Sequence, residues 1–230
     1  MSPNTSILLA FASCAALGTA GCSQASDPLR VEEPEFVHDE GQPWCDELPA
    51  RHDAADCALL LGDDHLLFFE YAQTARGERL NVTLNTLEGQ EIQSFGPITI
   101  DGAMTGPALR DLDDDGRDEI FIPRSTGDVN TLYSIWQQDG EGYFHRAGEL
   151  SGPGVDGVEV RDGLIITASR DNDAISYETA SRLTADGLDV VYELELNHIA
   201  RHCELIDDAG LGAARLTAGA VIAACQARDW

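Results

Sequence analysis

Asp111-Leu112-Asp113-Asp114-Asp115-Gly116-Arg117-Asp118-Glu119 runs directly into Ile120-Phe121-Ile122. Side-chain oxygens recur at alternate positions, Asp111, Asp113 and Asp115, so a tightly curled loop aims them at one centre. Gly116 supplies the positive φ that a residue carrying a Cβ resists. Arg117 then offers its backbone carbonyl, and Glu119 closes the far side. An all-oxygen, irregular donor set suits calcium, which takes 6–8 oxygens, better than magnesium. Carboxylates this close repel one another when no cation is present; the alternative is an acidic surface turn without metal. An EF-hand needs a bidentate Glu at its twelfth position, and that position is Ile122. Helical periodicity is absent from the flanks. Pro107 precedes the loop, and a β-branched, aromatic run follows it. The loop therefore joins strands, and the chain reads as β.

Outward from the loop, short strand signals recur between Gly and Asp turns. Upstream lie His65–Tyr71, a turn over Gln73–Gly77, Leu80–Leu84 and, after the turn Leu87-Glu88-Gly89-Gln90, Glu91–Phe95. Downstream lie Glu119–Pro123, Thr131–Gln137, Tyr143–Leu150, Gly163–Ser169, Ile175–Leu183 and Leu188–Leu196. Asp139-Gly140, Asp162-Gly163 and Asp186-Gly187 are hairpin signals. Alternation marks one buried face per strand: Leu132, Ser134 and Trp136 oppose Tyr133, Ile135 and Gln137. The expected fold is a single antiparallel all-β domain over residues 44–230, with a small FG-GAP-type propeller fragment as the alternative. The acidic motif occurs once, whereas a calcium-loop propeller repeats it at a fixed period. Residues 209–224 are rich in Ala and Gly; with Gly210, Gly212 and Gly219 interrupting a helix, they are expected to form a hairpin.

The first 21 residues read as a targeting segment. Ile7 to Leu17 is apolar and too short to span a bilayer as a mature helix. Thr19-Ala20-Gly21-Cys22 resembles the lipobox of bacterial lipoproteins, which makes Cys22 the lipidation candidate; ordinary cleavage after Ala20 or Ala25 is the alternative. Ser23 fits placement on the periplasmic side of the outer membrane, so the membrane is met only through a lipid anchor. Residues 22–43 are polar and acidic, with Pro28, Pro34 and Pro43, and read as a flexible tether.

The net charge is −27, and all 14 basic residues are Arg. Nucleic-acid binding rests on neutralising phosphates with basic side chains, so a nucleic-acid partner is excluded. Such acidity serves solubility, or steers the chain toward a cationic protein. Setting aside Cys14 in the leader and Cys22, an even set remains in an exported domain: Cys45, Cys57, Cys203 and Cys225. That argues for two disulfides. Of the three connectivities, Cys45–Cys57 with Cys203–Cys225 is expected, because each pair is near in sequence. Zinc is disfavoured, since no C-x-x-C spacing occurs.

The acidic loop is similar to the D-x-D-x-D-G-x-x-[DE] loop of FG-GAP and VCBS-type bacterial β-domains. A wider resemblance covers roughly residues 65–196. Gly89-Gln90-Glu91-Ile92-Gln93 reads like a G-x-x-I-Q hairpin. The acidic loop follows, then Ile135-Trp136, Asp139-Gly140-Glu141-Gly142-Tyr143-Phe144, Gly148-Glu149-Leu150, a hairpin carrying Tyr177, and Leu188–Leu196. In this order of features the chain resembles the periplasmic lysozyme-inhibitor-like immunity lipoproteins of xanthomonads. That family usually has Asn and Phe within D-L-N-F-D-G, where this chain has Asp113 and Asp114. The resemblance implies twisted β-sheets, structural calcium, and an inhibitory loop that enters the cleft of a cationic peptidoglycan hydrolase. The tip Arg170-Asp171-Asn172-Asp173 with Tyr177 is the candidate for that loop, an ordinary turn with a core Tyr being the alternative.

Nothing in the sequence marks an enzyme. There is no G-x-S-x-G elbow, P-loop or H-E-x-x-H. His198 and His202 lie four apart but lack a third ligand, and Cys203 is better used in a disulfide. No carboxylate pair stands out for glycoside hydrolysis.

Overall fold

The structure, a computed structural model, describes residues 42–49, 55–62, 64–75 and 77–228. The leader, the tether up to residue 41 and the lipidation candidate Cys22 lie outside the described residues. Three antiparallel sheets follow one another along the chain, and they close into neither a barrel nor a propeller. The all-β expectation therefore holds, without the propeller alternative.

The first sheet is a meander of β1 (Cys57–Leu61), β2 (His65–Thr74), β3 (Gly77–Thr86) and β4 (Glu91–Ile100). The second is a meander of β5 (Ala108–Arg110), β6 (Glu119–Thr126), β7 (Thr131–Gln138) and β8 (Phe144–Gly152). The third contains β9 (Glu159–Arg161), β10 (Leu164–Arg170), β11 (Ile175–Thr184), β12 (Gly187–Asn197) and β13 (His202–Asp207), again each strand beside its sequence neighbour. Strands β2 and β3 run through most of the expected Gln73–Gly77 turn, pairing Thr74 with Gly77. At the Asp162-Gly163 turn both residues have positive φ, 54° and 70°, as a two-residue hairpin of the right twist requires.

Three apolar clusters set the layer order. Leu67, Phe69, Leu80, Val82 and Leu84 of the first sheet pack with Ile120 and Ile122 of β6. Phe121, between those two isoleucines, points the other way and packs with Tyr133, Ile135 and Ile165. Leu164 and Ile166 of β10 join Leu194 and Cys225 in the third cluster. The middle sheet is thus covered on both faces, and so is β10. For the middle sheet and β10 this corrects the expectation of one buried face per strand. Ile120-Phe121-Ile122 is continuously apolar because both of its faces are core, the pattern of a fully buried strand.

The expected C-terminal hairpin is also corrected. Residues 209–215 form turns, and α1 (Ala218–Gln226) follows. Thr217 caps it, its hydroxyl accepting from the Ala220 N–H at 3.3 Å. Gly219 falls in the first helical turn, where backbone N–H groups lack intrahelical partners anyway, so it interrupts little. Gly210 is explained by close approach: a Cβ there would lie 2.4 Å from the Val190 carbonyl oxygen. Two disulfides, Cys45–Cys57 and Cys203–Cys225, are the expected pairs. The second ties α1 to β13. Arg228, just past α1, donates to both Glu178 carboxylate oxygens of β11 at 2.7 and 2.8 Å. The Tyr192 hydroxyl donates to the same carboxylate at 3.3 Å.

Candidate metal centre

The acidic stretch is the connection between β5 and β6, whose last register pair is Arg110 with Glu119. Its one apolar residue explains its shape. Leu112 is 1% exposed and sits in the cluster with Phe121 and Tyr133. With Leu112 pulled inward, its neighbours Asp111 and Asp113 face out. Asp114 takes a positive φ of 59° and Gly116 one of 83°. These left-handed residues curl the loop, and the Gly116 value is the one the sequence demanded.

Asp111, Asp113 and Asp115 each offer a carboxylate oxygen, and these oxygens lie within 4.8 Å of one another. The loop's own N–H groups hold them in place. Asp111 accepts from Gly116 N at 2.9 Å and from Asp113 N at 3.3 Å. Asp113 accepts from Asp115 N at 3.3 Å, and Asp115 from Arg117 N at 2.9 Å. Three hard oxygen donors fixed this closely, with at least Asp113 and Asp115 solvent-exposed, can hold a metal ion.

Arg117 and Glu119 also make side-chain contacts of their own. Arg117 turns its guanidinium onto Asp115, Nε donating to Oδ2 at 2.9 Å and Nη2 pairing with the same oxygen. Its Nη1 donates to the Asp139 carbonyl at 2.9 Å, tying the loop to the β7–β8 hairpin. This side-chain role was not readable from the spacing. Glu119 is 3% exposed and lies outside the three-carboxylate group. Its Oε2 accepts from the Leu112 N–H at 2.8 Å.

Electrostatics follow this geometry. Burial pushes the Glu119 carboxyl up to about 8, with Asp113, Asp115 and Asp111 adding repulsion against its one backbone hydrogen bond. Asp113 is raised, first by desolvation and then by Asp115. Asp115 is lowered, chiefly by its hydrogen bond from Arg117. The cluster concentrates negative charge that a cation would relieve.

Of the partner-binding candidates, Arg170 to Asp173 lie at the turn between β10 and β11. Asn172 Oδ1 accepts from Ala174 N at 2.8 Å and Ile175 N at 3.0 Å, and Arg170 pairs with Asp173 at 3.5 Å. Tyr177 sits on β11 opposite Glu195, donating to its carboxylate at 3.4 Å. His198 and His202 flank the β12–β13 turn, and His198 bonds the Ser176 hydroxyl at 2.8 Å. The one group of three or more potential ligands among the described residues is the aspartate triad.

No family model matches the chain, and no curated protein matches it. Among solved structures, a Xanthomonas protein described as related to a type IV secretion system is similar over 69% of this chain and 93% of its own, at 11% identity and a TM-score of 0.39. No helix among the described residues is long and apolar enough to cross a membrane.

Proposed function

We propose that this chain is an exported calcium-binding lipoprotein, anchored through Cys22, that binds and inhibits a cationic peptidoglycan hydrolase. It acts by binding and carries out no catalysis. The observation that carries the reading is the placement of the three-carboxylate loop. It lies between the β3–β4 hairpin, with Gly89 to Gln93, and the β7–β8 hairpin, with Asp139 to Phe144. That is the order of features on which the family resemblance rests. The net charge of −27 suits a cationic partner. Calcium fits the hard, irregular oxygen set, and the two disulfides fit an oxidising compartment.

A second reading keeps the calcium and drops the inhibition: an envelope-binding domain with an FG-GAP-like loop. The burial of Leu112 beneath the loop favours it, because a metal there would brace the β5–β6 hairpin as a structural element. A cell-wall lysis assay separates the two. A panel of lysozymes would be run with residues 44–230, in calcium and in chelator. Inhibition in calcium that disappears on chelation is the expected result. A calcium-dependent rise in melting temperature with no inhibition across the panel would leave the second reading standing.

A further inference from the structure

Two depressions lie side by side along the β6–β7 turn, and the smaller one reaches the third sheet. One of about 680 Å³ runs under Met104 and past Asp128 and Asp156. The other, of about 520 Å³, runs past Arg170 to His198. Both are lined by Val129, Asn130 and Pro153, so together they form one groove crossing the Val129 ridge.

Its floor is fixed before anything binds. Asn130, at the end of the β6–β7 turn, donates through Nδ2 to the Arg170 carbonyl at 2.9 Å and accepts from the Arg170 N–H at 3.1 Å. One side-chain amide thereby locks the second sheet to the third. Arg110 Nη1 donates to the Val155 carbonyl at 2.7 Å and fixes the opposite wall. A preformed groove loses little freedom on binding. Val129 at its centre is 48% exposed, and Met104 at one end is 38% exposed.

The rim is acidic. Asp128, Asp156 and Asp173 are exposed. Arg170 is the one arginine lining the groove, and Asp173 already neutralises it. This charge selects the occupant. A second copy of the chain carries −27 and is repelled. The chain's own stretch before residue 44 contains Glu32, Glu33, Glu35, Asp39 and Glu40, and is repelled too. Outside the 111–115 loop, the described residues contain no three-ligand cluster that would make the site a metal site. Sugar faces stack on exposed rings, and Tyr133, the aromatic residue of the lining, is 3% exposed.

We infer that this groove is a docking site for an extended, cationic segment of another protein, one that places an apolar side chain against Val129 and arginine or lysine against Asp128 and Asp156. The inference rests on the proposed function only in taking the partner to be a cationic protein. It puts the contact in a groove of this chain, not on a loop inserted into the partner.

The probe is a fluorescent decapeptide alternating arginine and valine, titrated by anisotropy at physiological salt against residues 44–230. Val129→Arg and the pair Asp128→Asn with Asp156→Asn test the groove. The pair Asp186→Asn with Asp189→Asn removes equal charge at the far end of β11 and β12. Expected are a loss of about tenfold in affinity for Val129→Arg and a severalfold loss for the groove pair, with the distant pair unchanged. Equal binding by Val129→Arg and the groove pair overturns the inference, and so does an equal loss in the distant pair, which would show diffuse charge attraction. The peptide readout needs no hydrolase. Peptide binding without inhibition of any lysozyme would refute the inhibitor reading alone. Full inhibition by Val129→Arg would refute the groove alone.

Discussion

The main-chain N–H of Leu112 donates to Oε2 of Glu119 at 2.8 Å, joining the start of the acidic loop to its end inside the protein. The bond closes the neck of the hairpin. The three aspartates therefore stand on a loop whose base is buried and whose rim is exposed.

Calcium is expected to stabilise the folded chain by mass action. At 100 times Kd the gain is about 2.7 kcal/mol, a rise of roughly 5–10 °C in Tm for a domain of this size. Asp113→Ala removes one of the three carboxylates, and with it only a 3.3 Å hydrogen bond within the loop. The variant should fold and lose the calcium response, as differential scanning fluorimetry with and without chelator will read. A full response in the variant would place the ion elsewhere.

Glu119 sets the pH behaviour of the metal-free protein. Its folded pKa, about 8, lies above its ordinary value of 4.5. The folded state then holds a proton that the unfolded chain has released, so stability falls as pH rises from about 4.5 to about 8. Glu119→Gln keeps an oxygen to accept from Leu112 and removes the titration. Chelator-treated melts from pH 5 to pH 8 should slope downward in the unaltered protein and flatten in the variant. Parallel slopes would refute this assignment.

Arg228 holds α1 against the third sheet through its two bonds to Glu178, whose side chain is 10% exposed. Arg228 itself is 34% exposed, so water replaces part of what is lost on its removal. Arg228→Ala should cost about 1.5–3 kcal/mol in urea melts, the range for hydrogen bonds to a charged group. Combining it with Glu178→Gln should recover part of that loss, because the buried charge goes too.

Phe121 tests the double-sided burial of the middle sheet. It is fully buried and meets Tyr133 edge-on, with ring centroids 5.6 Å apart. Phe121→Ala should cost about 3–5 kcal/mol. Phe95→Ala, at a half-buried position stacked on Trp136, should cost clearly less in the same melts.

Much of this was legible in residue order. The Leu80–Leu84 alternation and the turn at Gly89 place β3 and β4. The D-x-D-x-D-G spacing places the carboxylate cluster. What escaped depends on contacts distant in sequence. Whether Ile120-Phe121-Ile122 has one core face or two depends on the third sheet, which lies tens of residues downstream. Gly210 read as a helix breaker because nothing local reveals the Val190 carbonyl lying against it. Two local signals were there to be used: Leu112 as the lone apolar residue in an acidic run, and Thr217 three residues before Ala220 as a helix cap.

Among the described residues, each strand in the three sheets is laddered only with strands adjacent to it in sequence. Partners are brought together by closing a single hairpin, so the entropy of loop closure stays small for each step. The order of synthesis can then serve as the order of assembly. As the chain emerges, each new strand finds the edge it needs already made, and no half-built sheet waits for residues still to come.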